Sequence, residues 1–114
     1  MYKIIATPVF KLSLQRFSHF IARKYSHKKV AAIKQSIKQK LQQNLSQHPT
    51  LAPISSRLLE LGISQYRQYT IDDHNIVFYQ VDESDKKIIL LLIMDSRQDL
   101  QKLLYELTVL VQVN

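Results

Sequence analysis

Two arginines stand where local rules do not favour a cation. Arg97 lies in Asp95-Ser96-Arg97-Gln98-Asp99, directly after the seven apolar residues Ile88 to Met94. Ser96 and Asp99 match a capping box, in which a serine accepts from the amide three residues on and the acid reaches back to the serine amide. That pattern predicts a helix starting at Arg97, which puts the cation against the positive end of the helix dipole. Its removal is then expected to leave the fold intact or slightly more stable. Arg67 lies in SQYRQYTI, a strand-like stretch with tyrosines on either side. If Ile63, Arg67, Tyr69 and Ile71 share a pleat face, Arg67 sits among aromatics near the end of a sheet. Each arginine has a plain reading: Arg97 paired with Asp95 or Asp99 at the surface, Arg67 stacked on tyrosine with its stem buried. Each also has a chemical one. A guanidinium beside free helix amides makes an anion site, and the two arginines could converge on one phosphate.

Other chemistries have less to stand on. There is no cysteine, hence no disulfide and no thiolate metal site, and a reducing cytosol is the expected setting. His19, His27 and His48 are far apart and show no H-x-x-H spacing, so no metal is expected. A single glycine cannot build a phosphate-cradling loop, and no cofactor is expected. No run reaches the ~20 apolar residues of a membrane span. The opening Met1-Tyr2-Lys3, with only a short apolar run before Pro8, does not read as a secretion leader.

Charge is the most informative bulk property. The net charge is +7, yet residues 1–59 hold eleven Lys or Arg and no Asp or Glu, while residues 60–114 hold five and all nine acids. Such asymmetry fits a well-solvated lysine-rich helical face or an attachment surface for an anionic partner, whether nucleic acid or acidic protein.

The elements that must position these residues follow from periodicity. Residues 2–6 read as a strand. Thr7-Pro8 starts a helix over about 8–24, with Phe10, Leu14, Phe17 and Ile21 at helical spacing and Phe20 also assigned to the core. Ser26 caps a second helix, about 27–46, with Val30, Ile33, Ile37, Leu41 and Leu45 inward. The short link makes the two an antiparallel hairpin. Pro49 and Pro53 frame a loop, and residues 56–61 make one helical turn ended by Gly62. Strands are predicted at 65–71, 76–82 and 87–94, joined by short polar turns into an antiparallel meander. The last, apolar at every position from 88 to 94, should be central and covered on both faces. A final helix is predicted at 97–107, with a tail 108–114 that either extends it or runs as an edge strand. The order β-αα-βββ-α over a single domain, 1–114, predicts an α+β fold with a helical hairpin packed on a mainly antiparallel four-stranded sheet.

Four stretches in this order resemble the RelE/ParE superfamily of bacterial type II toxins: LSQHPTLAP after the second helix, LGISQYRQYTI, NIVFYQVDES and IILLLIMDSRQD. The resemblance implies a toxin neutralised by a cognate antitoxin in a hetero-oligomer, and either of two activities. RelE-like members cleave messenger RNA on the ribosome; ParE-like members bind DNA gyrase and block it. RNA cleavage needs a base for the 2′-hydroxyl, cations on the phosphorane and an acid for the leaving oxygen. Here Arg67 and Arg97 could be the cations, with His74 or Tyr105 moving protons. The RelE pattern, however, has an arginine where this chain has Ile76, a basic residue at Tyr69 and a tyrosine at Leu103. The depleted set points to the ParE-like branch, with Arg67, Arg97 and Lys102 expected at the target contact. Arg16, Arg23, Lys24, Lys34 and Lys38, on the acid-free hairpin, are expected to meet the antitoxin. A degenerate member that only binds an antitoxin or nucleic acid is the remaining alternative.

Overall fold

The computed structural model describes residues 1–113. Its order is β1 Lys3–Ala6, α1 Pro8–Ala22, α2 His27–Lys40, α3 Ser56–Glu60, β2 Arg67–Thr70, β3 Asn75–Asp82, β4 Lys87–Asp95 and α4 Leu100–Val113. Helix α2 runs on into a π-helical turn, Leu41–Leu45. The sheet order is β1-β4-β3-β2, with β1 parallel to β4 and the other pairs antiparallel. This is the α+β architecture the pattern predicts.

Thr7 shows how the first junction is made. Its hydroxyl accepts from the Phe10 amide at 3.0 Å, capping α1, and donates to the Leu90 carbonyl at 2.8 Å, fixing that helix start to the central strand. Strand β1 pairs β4 only as far as Leu90, so the outer edge of β4 needs another partner beyond it. Ser13 of α1 supplies it: its buried hydroxyl accepts from the Ile93 amide at 2.9 Å and donates to the Phe10 carbonyl at 2.7 Å. A lost partner there would leave a buried donor unmade, at a cost of about 1–3 kcal/mol.

The central strand is covered on both faces, as its sequence requires. Val77, Tyr79, Ile88, Leu90 and Ile93 pack under the α1–α2 hairpin with Phe17 and Ile37. Ile76, Phe78, Leu92 and Met94 pack on the opposite side with Leu103 and Leu107 of α4 and Leu58 of α3. A bulge between Phe78 and Tyr79 leaves Leu91 unmatched across the pair, so Leu91 and Leu92 both belong to the α4 side. Burial on both faces is why β4 shows no alternation of polar and apolar residues. Each fully buried Leu, Ile or Phe here contributes roughly 1.5–3 kcal/mol. Gly62 ends α3 at φ 80°, with Ile63 and Gly62 amides returning to Leu58 and Leu59 carbonyls at 2.9 and 3.0 Å. This is a Schellman cap that requires the left-handed conformation.

Several boundaries differ from the sequence expectation. Strand β2 is only four residues, because Gln65 adopts a left-handed φ of 72° and breaks the extended run. The last helix starts at Leu100, not at residue 97, and it takes up the tail through Val113. Asn114 of that tail lies outside the described residues. The Ser96–Asp99 capping box does not form. Asp99 is itself the cap, its carboxylate accepting from the Lys102 amide at 3.1 Å. The reciprocal exchange is one residue earlier: the Asp95 amide donates to Gln98 Oε1 at 2.9 Å, and the Gln98 amide to the Asp95 carbonyl at 2.9 Å. An aspartate at the strand end outcompetes serine because it can serve the turn amide and a guanidinium together.

Candidate functional site

Because α4 begins three residues late, Arg97 lies in the turn before it, not in its first helical turn. Its Nε and Nη2 donate to the two Asp95 carboxylate oxygens at 2.8 and 2.7 Å, and its backbone amide donates to Asp95 Oδ1 at 2.9 Å. The Asp95 side chain is only 2% exposed, that of Arg97 40%. The guanidinium also stacks over the Phe20 ring, 5.6 Å from its centroid. The Arg97 bonds hold the Asp95 carboxyl below its ordinary range, outweighing burial, with help from the charges of Arg97 and His74. The same bonds raise Arg97. With its charge balanced and the helix amide taken by Asp99, the free-amide anion site expected beside Arg97 is not formed.

Arg67 does not converge on Arg97. It pairs with Tyr79 across the sheet, whereas Asp95 pairs with Asn75, four residues along β3. That separates the rows by about 13 Å. Arg67 Nη1 instead donates to the Ala52 carbonyl at 2.7 Å. Beside it, the Tyr79 hydroxyl donates to the Pro49 carbonyl at 2.7 Å and receives the Ala52 amide at 3.4 Å. Burial pushes the Tyr79 phenol up. Asn44 reaches the Tyr69 hydroxyl at 2.7 Å. The proline loop, the strand arginine and the hairpin tyrosine thus form one structural clasp.

His74 does reach Arg97's neighbourhood. Its carbonyl accepts from the Ser96 amide at 2.7 Å, and its side chain lines a cavity of about 450 Å3 with Tyr25, Lys29, Asp73, Asp95 and Arg97. The turn carrying it is held by Asp72, whose carboxylate accepts from the His74 and Asn75 amides, each at 3.0 Å. Burial alone would raise the Asp72 carboxyl; these bonds and the charge of Lys40 hold it low. Tyr105 points to solvent, 73% exposed on α4, and lines no cavity with Arg97. Lys102 lies in a separate cleft of about 380 Å3 between α1 and α4, with Arg16, Phe20 and Arg23.

The hairpin cations expected to act together divide between two surfaces. Arg16 and Arg23 face α4, and Arg16 pairs with Glu106 at 3.3 Å. Lys34 and Lys38 rim an apolar groove of about 540 Å3, floored by Ile4, Phe10, Leu14, Leu90 and Ile93. Lys24 lines neither. Of the two acids the sequence offered Arg97, the structure takes Asp95, and Phe20 is the partner the sequence reading missed. Phe20 had a signal, since it falls off the Phe10–Phe17–Ile21 core stripe. Among the described residues no group of three or more acids and histidines is placed to hold a metal ion. No helix there is long and apolar enough to cross a membrane.

The chain is similar in fold to a solved structure of the RelBE2 toxin–antitoxin complex from Mycobacterium tuberculosis, with a TM-score of 0.53 and 14% identity over 82% of this chain and 96% of that one. No curated protein matches it in sequence. A family profile described as the ParE toxin of the type II toxin–antitoxin system, parDE, matches residues 4–100. The chain therefore belongs to the ParE toxin family of type II toxin–antitoxin systems.

Proposed function

We propose that this chain is a toxin that acts by binding DNA gyrase and is held inactive in a hetero-oligomer with a cognate antitoxin. The observation that carries the gyrase reading is that Arg67 and Tyr105 stand apart from Arg97 and His74, so the four groups RNA cleavage would use do not come together. Arg67 is bonded to Ala52 about four residues along the sheet, Tyr105 faces solvent, Arg97 is neutralised by Asp95, and His74 stands in a turn. A guanidinium keeps its proton near neutral pH, so arginines alone cannot shuttle one. The groove rimmed by Lys34 and Lys38 supports the antitoxin assignment: an acidic segment with an apolar face would gain charge complementarity and burial in one place.

The test is a supercoiling assay with purified gyrase beside a cleavage assay on a programmed ribosome. Inhibition of supercoiling without cleavage is the expected result. Codon-specific cleavage with gyrase unaffected overturns the reading. A ribosome-dependent nuclease is the second reading, and one observation favours it: His74 and Arg97 line the same cavity.

A further inference from the structure

Helix α4 carries apolar side chains on two opposite faces. Leu103 and Leu107, with Leu100 and Leu104, form the inner face that packs on the sheet. The outer face holds Gln101, Tyr105, Thr108 and Val109, all exposed and spaced so that they share one stripe. Tyr105 is 73% exposed and Val109 40%. The Thr108 hydroxyl donates to the Leu104 carbonyl at 2.6 Å, so its polar atom is satisfied inside the helix and its methyl is left to the stripe. The charged residues in the sequence of α4 are Lys102 and Glu106. Both line the cleft towards α1, where Glu106 pairs with Arg16. The outer stripe is therefore uncharged, in a helix whose other apolar face is already covered.

Charge decides what covers this stripe. An acidic partner gains nothing on a face without cations and is drawn instead to the lysine-rimmed groove. Two copies of this chain, each of net charge +7, repel one another, so they can meet only where neither brings a cation. Eleven of the sixteen Lys and Arg lie in residues 1–59, and α2 packs on the side of the sheet opposite α4. We infer that a second copy of this chain docks on the outer stripe of α4, making a two-fold dimer in which the Tyr105 ring of each copy packs on Val109 of the other. A two-fold axis across the stripe sets the two helices antiparallel, which also places opposite dipole ends side by side. One helix face falls short of the ~1,200 Å2 a stable interface buries, so the dimer is a weak one. It leaves the groove of Lys34 and Lys38 open, so each copy can still take its own antitoxin.

The test is sedimentation equilibrium of the full chain alone, from about 1 μM to about 1 mM, at low and high salt. The weight-average mass should climb from one chain towards two within that range. Salt should strengthen the association, because it screens the repulsion between two basic copies. Val109→Lys brings a cation from each copy into the contact and should weaken dimerisation at least tenfold. Tyr105→Ser should weaken it, and Tyr105→Phe should retain it. Leu59→Ser, at an apolar side chain of α3 that is 50% exposed, is the control for general stickiness and should leave the dimer unchanged. All these positions are exposed, and circular dichroism melts confirm folding. A monomer at every concentration, a mass climbing past two chains, an unaltered Val109→Lys variant or loss in Leu59→Ser would each overturn the inference. So would a monomeric chain whose antitoxin binding falls in Tyr105→Ser, which would give the stripe to the antitoxin.

Discussion

Arg97 grips both carboxylate oxygens of Asp95, at 2.8 and 2.7 Å, two residues away across the turn that joins β4 to α4. The pair fixes the exit of the central strand, and Phe20 beneath the guanidinium links that exit to α1. Arg97 therefore has a structural role. Arg97→Ala should lower the melting temperature, the reverse of what a cation in the first helical turn would do. It strands a buried carboxylate, which keeps only the backbone amide. Arg97→Lys should recover part of the loss, because an ammonium cannot match both oxygens at once. Thermal melts of the two variants decide it, and an Arg97→Ala protein as stable as wild type would refute it.

The same pair sets a pH dependence. The Asp95 carboxyl is held below its ordinary value of 3.8 by the Arg97 bonds, which outweigh burial. A depressed folded value means that the stabilisation is complete above the unfolded value and is lost as pH falls through the folded one. Asp72 acts in the same direction through its turn amides. Unfolding in urea from pH 7 down to about pH 2 should show stability falling below about pH 4. Asp95→Asn should start less stable and show a shallower fall.

The elements were legible because their signals are local. Thr7-Pro8, Ser26 and Gly62 announce caps in the residues themselves, and the apolar run of β4 announces a strand buried on both faces. The turn at 95–99 was misread because two adjacent cap patterns compete there, Asp95–Gln98 and Ser96–Asp99. The choice depends on Arg97 reaching Asp95, which spacing does not reveal. The convergence of Arg67 on Arg97 failed for a related reason. Both residues lie near the end of a strand, but register puts them four residues apart along β3, and register is set by partners distant in sequence.

Tyr79 and Arg67 should behave as one unit. Both hold the loop around Pro49 and Ala52. Tyr79→Phe removes the hydroxyl bonded to the half-buried Pro49 carbonyl and should cost about 1–2 kcal/mol. Arg67→Ala frees the Ala52 carbonyl. Groups that order the same segment couple, so the double variant should lose less than the sum of the singles by at least about 0.5 kcal/mol. A double-mutant cycle from urea unfolding measures this, and strict additivity would mean that the two residues act on separate segments.

Lys34 and Lys38 stand on the rim of an apolar groove whose floor is Phe10, Leu14, Leu90 and Ile93. Rim charges and floor contacts act on different steps of association. Exposed cations steer an acidic partner before contact, so they govern the association rate and its salt dependence. The floor is felt only after docking and governs dissociation. Lys34→Glu, Lys38→Glu should therefore slow association roughly tenfold or more at low salt and abolish its salt dependence, with little change in the dissociation rate. Leu14→Ala, half-buried at the groove floor, should leave association unchanged and hasten dissociation. Arg16→Gln serves as the contrast, because Arg16 faces α4 and is already paired with Glu106, so it should leave both rates near wild type. Stopped-flow or surface-based kinetics with the cognate antitoxin at two ionic strengths separates these cases. If Arg16→Gln slows association as much as the Lys34/Lys38 change, the steering belongs to the hairpin as a whole and the groove is not where the partner enters.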